Sequence, residues 1–371
     1  MRPITVCHII SGDLWAGAEV VVYHLLKHLK GYNNLNLSAI LFNEGRLADE
    51  IRSMDIPVEI VNEANQSFLR IVRETSKILG RGSTDIVHSH RTKENILAYL
   101  STAFRKGVRL LGTLHGMPEY MGKNRNSKYL ILHRFNRSLM SISFSKVVVV
   151  SQDMRRHFTE TFGFPGDQVH VIRNGTEIPG NIPPRKDTAF FTIGSMGRMV
   201  PVKDYPLMVE IAREVCRQTD SVRFELAGDG PDREKVIDLI GGYRLEDKFL
   251  LRGFVENLSD FYGGIDLYLN TSVHEGIPMS VLEAMSFGIP VIAPDMGGLK
   301  EIVKDGREGY LVDSRDPKVF AKACIDVYQN ASLRQSMGTS ARERVRNEFS
   351  NERMAREYHD LYRNIVHGFN P

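Results

Sequence analysis

The sequence predicts an α/β protein of two domains, each a doubly wound parallel sheet. Three observations carry that expectation. The chain has 371 residues, more than one hydrophobic core usually serves. Short β-branched runs alternate with amphipathic stretches along its whole length, as in parallel sheets covered on both faces. A Pro- and Gly-rich segment at 174–188, NGTEIPGNIPPRKDT, divides the pattern in two, as an inter-domain linker does.

The elements follow in order. In the first half, strand-like runs fall at 5–10, 38–41, 58–61, 86–90, 110–114 and 146–150. Amphipathic stretches such as 18–29 and 94–104 lie between them. The pattern restarts with runs at 169–172, 190–195, 223–227, 249–251, 267–270, 291–293 and 309–311. Helical sequence returns after Pro317 and continues, with breaks, to the end. Two such domains facing each other would form a cleft suited to a small ligand.

Composition narrows the class. The chain is 42% hydrophobic and 25% charged, as soluble globular proteins are. No apolar run approaches the roughly 20 residues of a spanning helix. The first residues read as a strand and lack signal-peptide architecture. Cys7, Cys216 and Cys324 lie far apart in apolar segments, without zinc spacing, and their odd number argues against a disulfide framework. A cytoplasmic setting is expected. Residues 1–170 hold 22 Lys and Arg against 15 Asp and Glu, whereas the remainder holds 26 against 30. The basic excess is densest between Arg105 and Lys146, which suggests an anionic contact.

The segment 274–298, HEGIPMSVLEAMSFGIPVIAPDMGG, is the most informative. Glu275 and Glu283 stand eight positions apart around the start of a short helix. Gly276 and Pro278 shape the entry turn, and Gly288 and Pro290 stop the helix. Such a turn offers free N–H groups and a positive dipole end to an anion. Glu283 leans back toward the same spot, because helical side chains tilt toward the N-terminus. A phosphate on the N–H groups with an acid on either side for hydroxyls suits a sugar nucleotide. The second half opens with FFTIGSMGRMVPVKDYP, where a strand turns at Gly197 and Arg198 and Lys203 follow in the loop. A forked guanidinium and a point-charge ammonium suit a diphosphate, although two solvated loop cations would look the same. Asp204 is the expected cap of a helix beginning near Pro206.

These motifs, GRMVPVKD (197–204), AGDGP (227–231) and HEGIPMSVLEAMSFGIPVIAPDMGGLKEIVKDGREGYLV (274–312), resemble retaining glycosyltransferases of family 4. The resemblance extends through GAEVVVYHL (17–25), DIVHSH (85–90), TLHG (113–116), VVVVSQDMRRHF (147–158) and IRNG (172–175), in the family's order. It implies the GT-B architecture of two Rossmann-like domains facing across a cleft. The expected boundaries are an acceptor-binding domain at 1–175 and a nucleotide-sugar-binding domain at 176–350. A C-terminal helix at 351–371 is expected to pack back on the first domain.

The resemblance also implies roles. Arg198 and Lys203 hold the donor diphosphate after the turn at Gly197 and stabilise charge on the departing nucleotide. Glu283 binds the ribose and Glu275 sits beside the donor sugar. The turn of Gly276, Ile277, Pro278 and Met279 wraps sugar and phosphate, with Pro278 offering no N–H. The stretch 252–255, including Phe254 and Val255, follows a strand and lines the base. Gly17 lets backbone approach the diphosphate, and His115 lies near the reacting centre. One departure stands out: Ala16 precedes Gly17, where the family often has two adjacent glycines.

The chemistry agrees with those roles. Glycosyl transfer leaves negative charge on the diphosphate, and neutralising it is electrostatic catalysis. The chain has no D-x-D triplet, so Arg198, Lys203 and the helix start near Met279 are expected to supply the charge, with no metal or other cofactor. Retention comes from the resemblance, not the spacing: with Glu283 at the ribose, the two acids cannot be the pair of a retaining hydrolase. Front-face displacement is the expected course.

Other features have plainer readings beside the functional one. His88 and His90 form an H-x-H at a strand end, but no third ligand is evident, which argues against a metal. His90 and Arg91 are acceptor-site candidates. Asp229 to Pro231 reads as a tight turn, and Cys7 and the methionines as core. The segment 124–146 mixes Arg and Lys with Tyr129, Leu130, Leu132, Phe135 and Leu139. It fits either a basic amphipathic helix on an anionic membrane surface or a core helix with a solvated basic face. A UDP- or GDP-sugar donor and a saccharide or lipid-linked saccharide acceptor are the expected partners, with no nucleic acid. The expected place is the cytoplasm, including the inner membrane face, and the expected pathway is surface polysaccharide or glycolipid synthesis. The alternatives are a GT-B sugar-nucleotide epimerase or phosphorylase, or a non-catalytic sugar-nucleotide binder. A nicotinamide enzyme is disfavoured, because SGDLWAG (11–17) replaces G-x-G-x-x-G after the first strand.

Overall fold

The computed structural model describes residues 2–13, 15–117, 127–182 and 190–368. The chain divides into two compact units, Met1–Gly175 with Asn351–Pro371, and Thr176–Ser350.

The first unit holds a seven-stranded sheet: β1 (Ile4–Ile10), β2 (Leu35–Leu41), β3 (Val58–Ile60), β4 (Ile86–Ser89), β5 (Arg109–Leu114), β6 (Lys146–Val149) and β7 (Val169–Val171). Its order is β3-β2-β1-β4-β5-β6-β7, and every pairing is parallel. The run at 169–172, where the strand pattern restarts, is the edge strand β7 of this first sheet and lies within the bounds 1–175 expected for the first domain. Its backbone bonds continue from β6, with Val147 opposite Val169. The sheet centre is fully buried at Val6, Ile9, Ile86, Val87, Leu111, Val147 and Val148. That two-sided burial explains the uninterrupted apolar runs.

The second unit holds β8 (Phe191–Met196), β9 (Val222–Ala227), β10 (Phe249–Gly253), β11 (Leu267–Leu269), β12 (Val291–Pro294) and β13 (Gly309–Val312). Its order is β10-β9-β8-β11-β12-β13, again all parallel. One buried cluster joins Ile193, Phe224, Leu226, Leu267 and Ile292 of the sheet to Met208, Ile211, Phe320 and Cys324 of two covering helices.

Several boundaries differ from the sequence reading. The helix expected at 94–104 runs Thr92–Thr102, and Phe104 beyond it is fully exposed. Strand β10 extends through Gly253, so Arg252 and Gly253 belong to the strand rather than following it. The linker's described part is anchored: Asn174 and Thr176 are buried, and Thr176 bridges to Ser350. Residues 183–189 of the linker and 124–126 of the basic segment lie outside the described residues, as do the side chains of Tyr129 and Leu130. Among the described residues, no helix is long and apolar enough to cross a membrane.

Each sheet has one point where strand order reverses. In the first it lies between β1 and β4; in the second, between β8 and β11. Loops leaving the carboxyl ends of such a strand pair diverge to opposite faces, and the crevice between them takes ligands.

Candidate active site

In the second unit several of the predicted residues follow the two strands of its reversal, β8 and β11. Gly197, Arg198 and Lys203 follow β8, and Glu275 follows β11. Lys203 ends a short 3-10 turn, Pro201–Lys203. Its Nζ lies 2.5 Å from Glu275 Oε1, which also accepts from Ser272 Oγ at 2.7 Å. Both side chains are mostly buried, 20% and 13% exposed. Burial pulls the Lys203 ammonium down, but the charge and hydrogen bond of Glu275 outweigh it and hold it above the usual lysine range.

The two loops are laced together. Val273 N donates to Val202 O at 2.8 Å, and Thr271 Oγ1 to Lys203 O at 2.9 Å. Arg315, beyond β13, donates to Thr271 O at 2.8 Å and Ser272 O at 3.1 Å, and pairs with Asp204. Asp204 is therefore no side-chain cap. It precedes helix Tyr205–Cys216 in a left-handed conformation (φ 46°) and makes no capping bond, because Arg315 holds its carboxylate.

Arg198 differs from Lys203. Its side chain is exposed, and no hydrogen bond or ion pair holds it among the described residues. The turn beneath it is tightly built. Met199 N donates to Asp229 O at 2.8 Å, and Gly197 N to Ala227 O at 3.0 Å. Gly228 (φ 124°) lies against it, where a Cβ would stand 2.1 Å from Gly197 O. The AGDGP turn thus braces the Gly197–Arg198 turn.

Glu283 lies on helix Met279–Ser286, whose start at Pro278 carries no side-chain cap. Tyr262 Oη donates to Glu283 Oε2 at 2.8 Å and to Ser280 O at 3.2 Å. Burial, then the Glu283 charge, push the Tyr262 hydroxyl well above its ordinary range. Gly276, Ile277, Pro278 and Met279 are buried in the entry turn. Gly298 N donates to Glu275 O at 3.1 Å. A Cβ on Gly298 would fall 1.4 Å from Gly276 O, so only glycine fits. Phe254 is 60% exposed and Val255 half-buried, just past β10.

In the first unit, Gly17 opens helix Gly17–Leu29, with open space where a Cβ would stand. His115 follows β5. Its Nε2 meets His90 Nδ1 at 3.2 Å, and its buried Nδ1 has no partner among the described residues. Burial, helped by Arg91, lowers its pKa to about 3. His90 is buried, with Nε2 at 3.0 Å from His8 Nδ1. Both its nitrogens are engaged, so His90 is not presented to an acceptor as the sequence suggested. Arg91 is partly exposed and pairs with buried Glu19 and, at 3.6 Å, with Asp13. The H-x-H pair gains the third imidazole that the sequence did not show: His8, His88 and His90 bring ring nitrogens within 4.8 Å of one another.

Reading the sequence missed Tyr262, Ser272, Arg315, His8 and Glu19. Tyr262 sits 21 positions from Glu283, and only the strand order brings His8 beside His88. The buried acid Glu19 in an otherwise apolar helix stretch was the one visible signal.

Comparison with known proteins decides the family. Residues 15–178 match Glycosyltransferase Family 4, and residues 182–344 match Glycosyl transferases group 1. The chain belongs to family 4 of the glycosyltransferases. This glycosyltransferase is 24% identical to N-acetyl-alpha-D-glucosaminyl L-malate synthase of Bacillus anthracis, over 80% of this chain and 79% of that one. It is 23% identical to the UDP-Gal:alpha-D-GlcNAc-diphosphoundecaprenol alpha-1,3-galactosyltransferase of Escherichia coli, over 86% of each. Among solved structures, Anabaena Alr3699/HepE, in complex with UDP and glucose, superposes with a TM-score of 0.83 at 18% identity, covering 96% of this chain and 99% of that one. The glycosyltransferase therefore has the GT-B fold.

Proposed function

We propose that this glycosyltransferase moves a sugar, with retention and without a metal, from a UDP- or GDP-sugar to a saccharide or lipid-linked saccharide. The observation that carries the reading is the Lys203–Glu275 ion pair just before the uncapped start of helix Met279–Ser286, where Tyr262 ties Glu283 to Ser280 O; exposed Arg198 precedes Lys203 in the loop after β8. The helix start and the two cations would take the diphosphate. Glu283, aligned by Tyr262, would accept from the ribose hydroxyls, and Glu275 would accept from the transferred sugar. Phe254 and Val255 would line the base. In the first unit, Gly17 and His115 would take the diphosphate and sugar roles that the resemblance gives them.

As the bond to the leaving diphosphate breaks, the arginine fork and the ammonium would stabilise the growing charge. The acceptor hydroxyl would attack from the leaving group's side and pass its proton to the diphosphate. The Escherichia coli relative's name specifies a diphosphoundecaprenol-linked acceptor, which supports a lipid-linked acceptor here. Membrane contact on the inner face would suit such an acceptor. Helix Ser127–Ser143 exposes Ile131, Leu132, Phe135 and Ile142 while burying Leu139 and Met140. Co-sedimentation with anionic vesicles tests the contact.

A thermal-shift panel of nucleotides and nucleotide sugars tests the donor. A nucleotide at 100 times its Kd stabilises by about 2.7 kcal/mol. The reading expects a shift with UDP or GDP and their sugars, and fails if none binds.

A further inference from the structure

Behind His115 runs an unbroken chain of side-chain hydrogen bonds in the first unit. Tyr358 Oη meets Thr113 Oγ1 at 2.9 Å, and Thr113 Oγ1 meets His88 Nε2 at 2.7 Å. His88 Nδ1 meets Tyr362 Oη at 2.8 Å, which meets His8 Nε2 at 3.3 Å. His8 Nδ1 meets His90 Nε2 at 3.0 Å, and His90 Nδ1 meets His115 Nε2 at 3.2 Å. Tyr358 and Tyr362 stand four residues apart on helix Asn351–His367, on one face. All members except His115 are buried outright.

Counting protons fixes the sense of this chain. A neutral imidazole donates through one nitrogen and accepts through the other. Each imidazole therefore dictates the next link, and a hydroxyl of Thr113 or Tyr362 that accepted on both sides would leave its own buried proton without an acceptor among the described residues, so two arrangements remain. In one, Tyr358 donates to Thr113 and the donation passes along to His115 Nε2, leaving the His115 Nδ1 proton as the one donor of the chain unmet among the described residues. In the other, every link reverses. Tyr358 then receives from Thr113, its buried hydroxyl proton has no acceptor among the described residues, and His115 Nδ1 is also unmet. Each buried polar group left unpaired costs about 1–3 kcal/mol, and the first sense leaves one such group where the second leaves two.

We propose that the chain runs in the first sense, which makes Tyr362 and Tyr358 positioning residues that hold His115 as an Nδ1–H donor for an oxygen of the substrate. The substrate part rests on the glycosyl-transfer reading; the proton arrangement does not. The donor suits a sugar hydroxyl or ring oxygen. It does not suit a cation, and the hydrogen-bonded nitrogens of His8, His88 and His90 are likewise committed to one another and to Tyr362 and Thr113 rather than to a metal.

The test is long-range ¹H–¹⁵N correlation spectroscopy of the full-length, histidine-labelled protein at neutral pH, with His115 assigned by loss of its signals in His115→Gln. His8, His88, His90 and His115 should all show the Nδ1–H tautomer. Tyr362→Phe cuts the chain, and His115 should then show a mixture of tautomers. Nε2–H on these rings in the wild type would overturn the proposal. So would an unchanged His115 pattern in a folded Tyr362→Phe protein, or a stoichiometric transition metal bound to the purified protein. Failure of sugar transfer with the tautomers as stated would refute the glycosyl reading and leave the arrangement standing.

Discussion

Lys203 and Glu275, 72 positions apart, close an ion pair of 2.5 Å where strand order reverses in the second sheet. The pair leaves this mostly buried spot near neutral. Removing one partner strands the other charge, so Lys203→Met should lower stability by about 2 kcal/mol. Adding Glu275→Gln should restore much of that loss but not activity. Urea denaturation of the two single variants and the double variant checks this. Additive losses would show that the pair is not coupled.

Arg198 stands apart from that neutral pair. It is exposed and unpaired among the described residues, so its charge is available to the diphosphate of the proposed reaction. Arg198→Ala should leave the melting temperature within about 1 °C, since nothing in the fold depends on it. It should reduce kcat by about 100-fold or more, an effect of some 3 kcal/mol exerted mainly in the transition state. Steady-state kinetics beside a thermal melt separates the two. A variant with near-native kcat would remove arginine from the leaving-group role.

If Arg198, Lys203 and the helix start carry the charge, a metal has nothing to add. Transfer should persist in excess EDTA, and Mn²⁺ should restore nothing. Activity that collapses with chelation and returns with Mn²⁺ would refute this.

The imidazole cluster makes stability depend on acid. Burial lowers His8 and His115 from 6.5 to about 3, and His88 and His90 well below their ordinary value. Above pH 6.5 both folded and unfolded chains hold these rings neutral. Between 6.5 and about 3 the unfolded chain binds protons that the folded one refuses, so stability falls as pH falls. Each ring contributes up to about 1.4 kcal/mol per pH unit. Glu19 and Glu357, raised by burial, act in the opposite sense. Denaturation curves at pH 7.5, 6.0 and 5.0 should show a progressive loss. A flat profile would mean that the rings protonate inside the fold.

Much of this was legible in the sequence, for physical reasons. Parallel strands buried on both faces write themselves as apolar runs, and Val147–Val149 needed no other clue. The glycine-proline frame around Glu275 and Glu283 is visible because Gly298 must pack on Gly276 O and Pro278 must precede the helix. Partners distant in the chain were not legible. Tyr262 reaches Glu283, and Arg315 reaches Asp204, only after separate strands align. The capping motif at Asp204 misled for that reason, since its carboxylate had a stronger, unseen partner. The strand pattern restarts at β7 although the expected boundary at 175 keeps that run in the first domain, because one short apolar run carries no record of which edge it joins.

The measurement that bears most directly on the donor clamp is a binding cycle on Glu283. Calorimetry would compare UDP, or GDP if the panel selects it, with its 2′,3′-dideoxy analogue, on the wild type and on Glu283→Ala. If Glu283 grips the ribose, the wild type should lose about 1.5–3 kcal/mol with the dideoxy analogue. Glu283→Ala should then bind both ligands about equally. A Glu283→Ala protein that discriminates between them as strongly as the wild type would contradict the account.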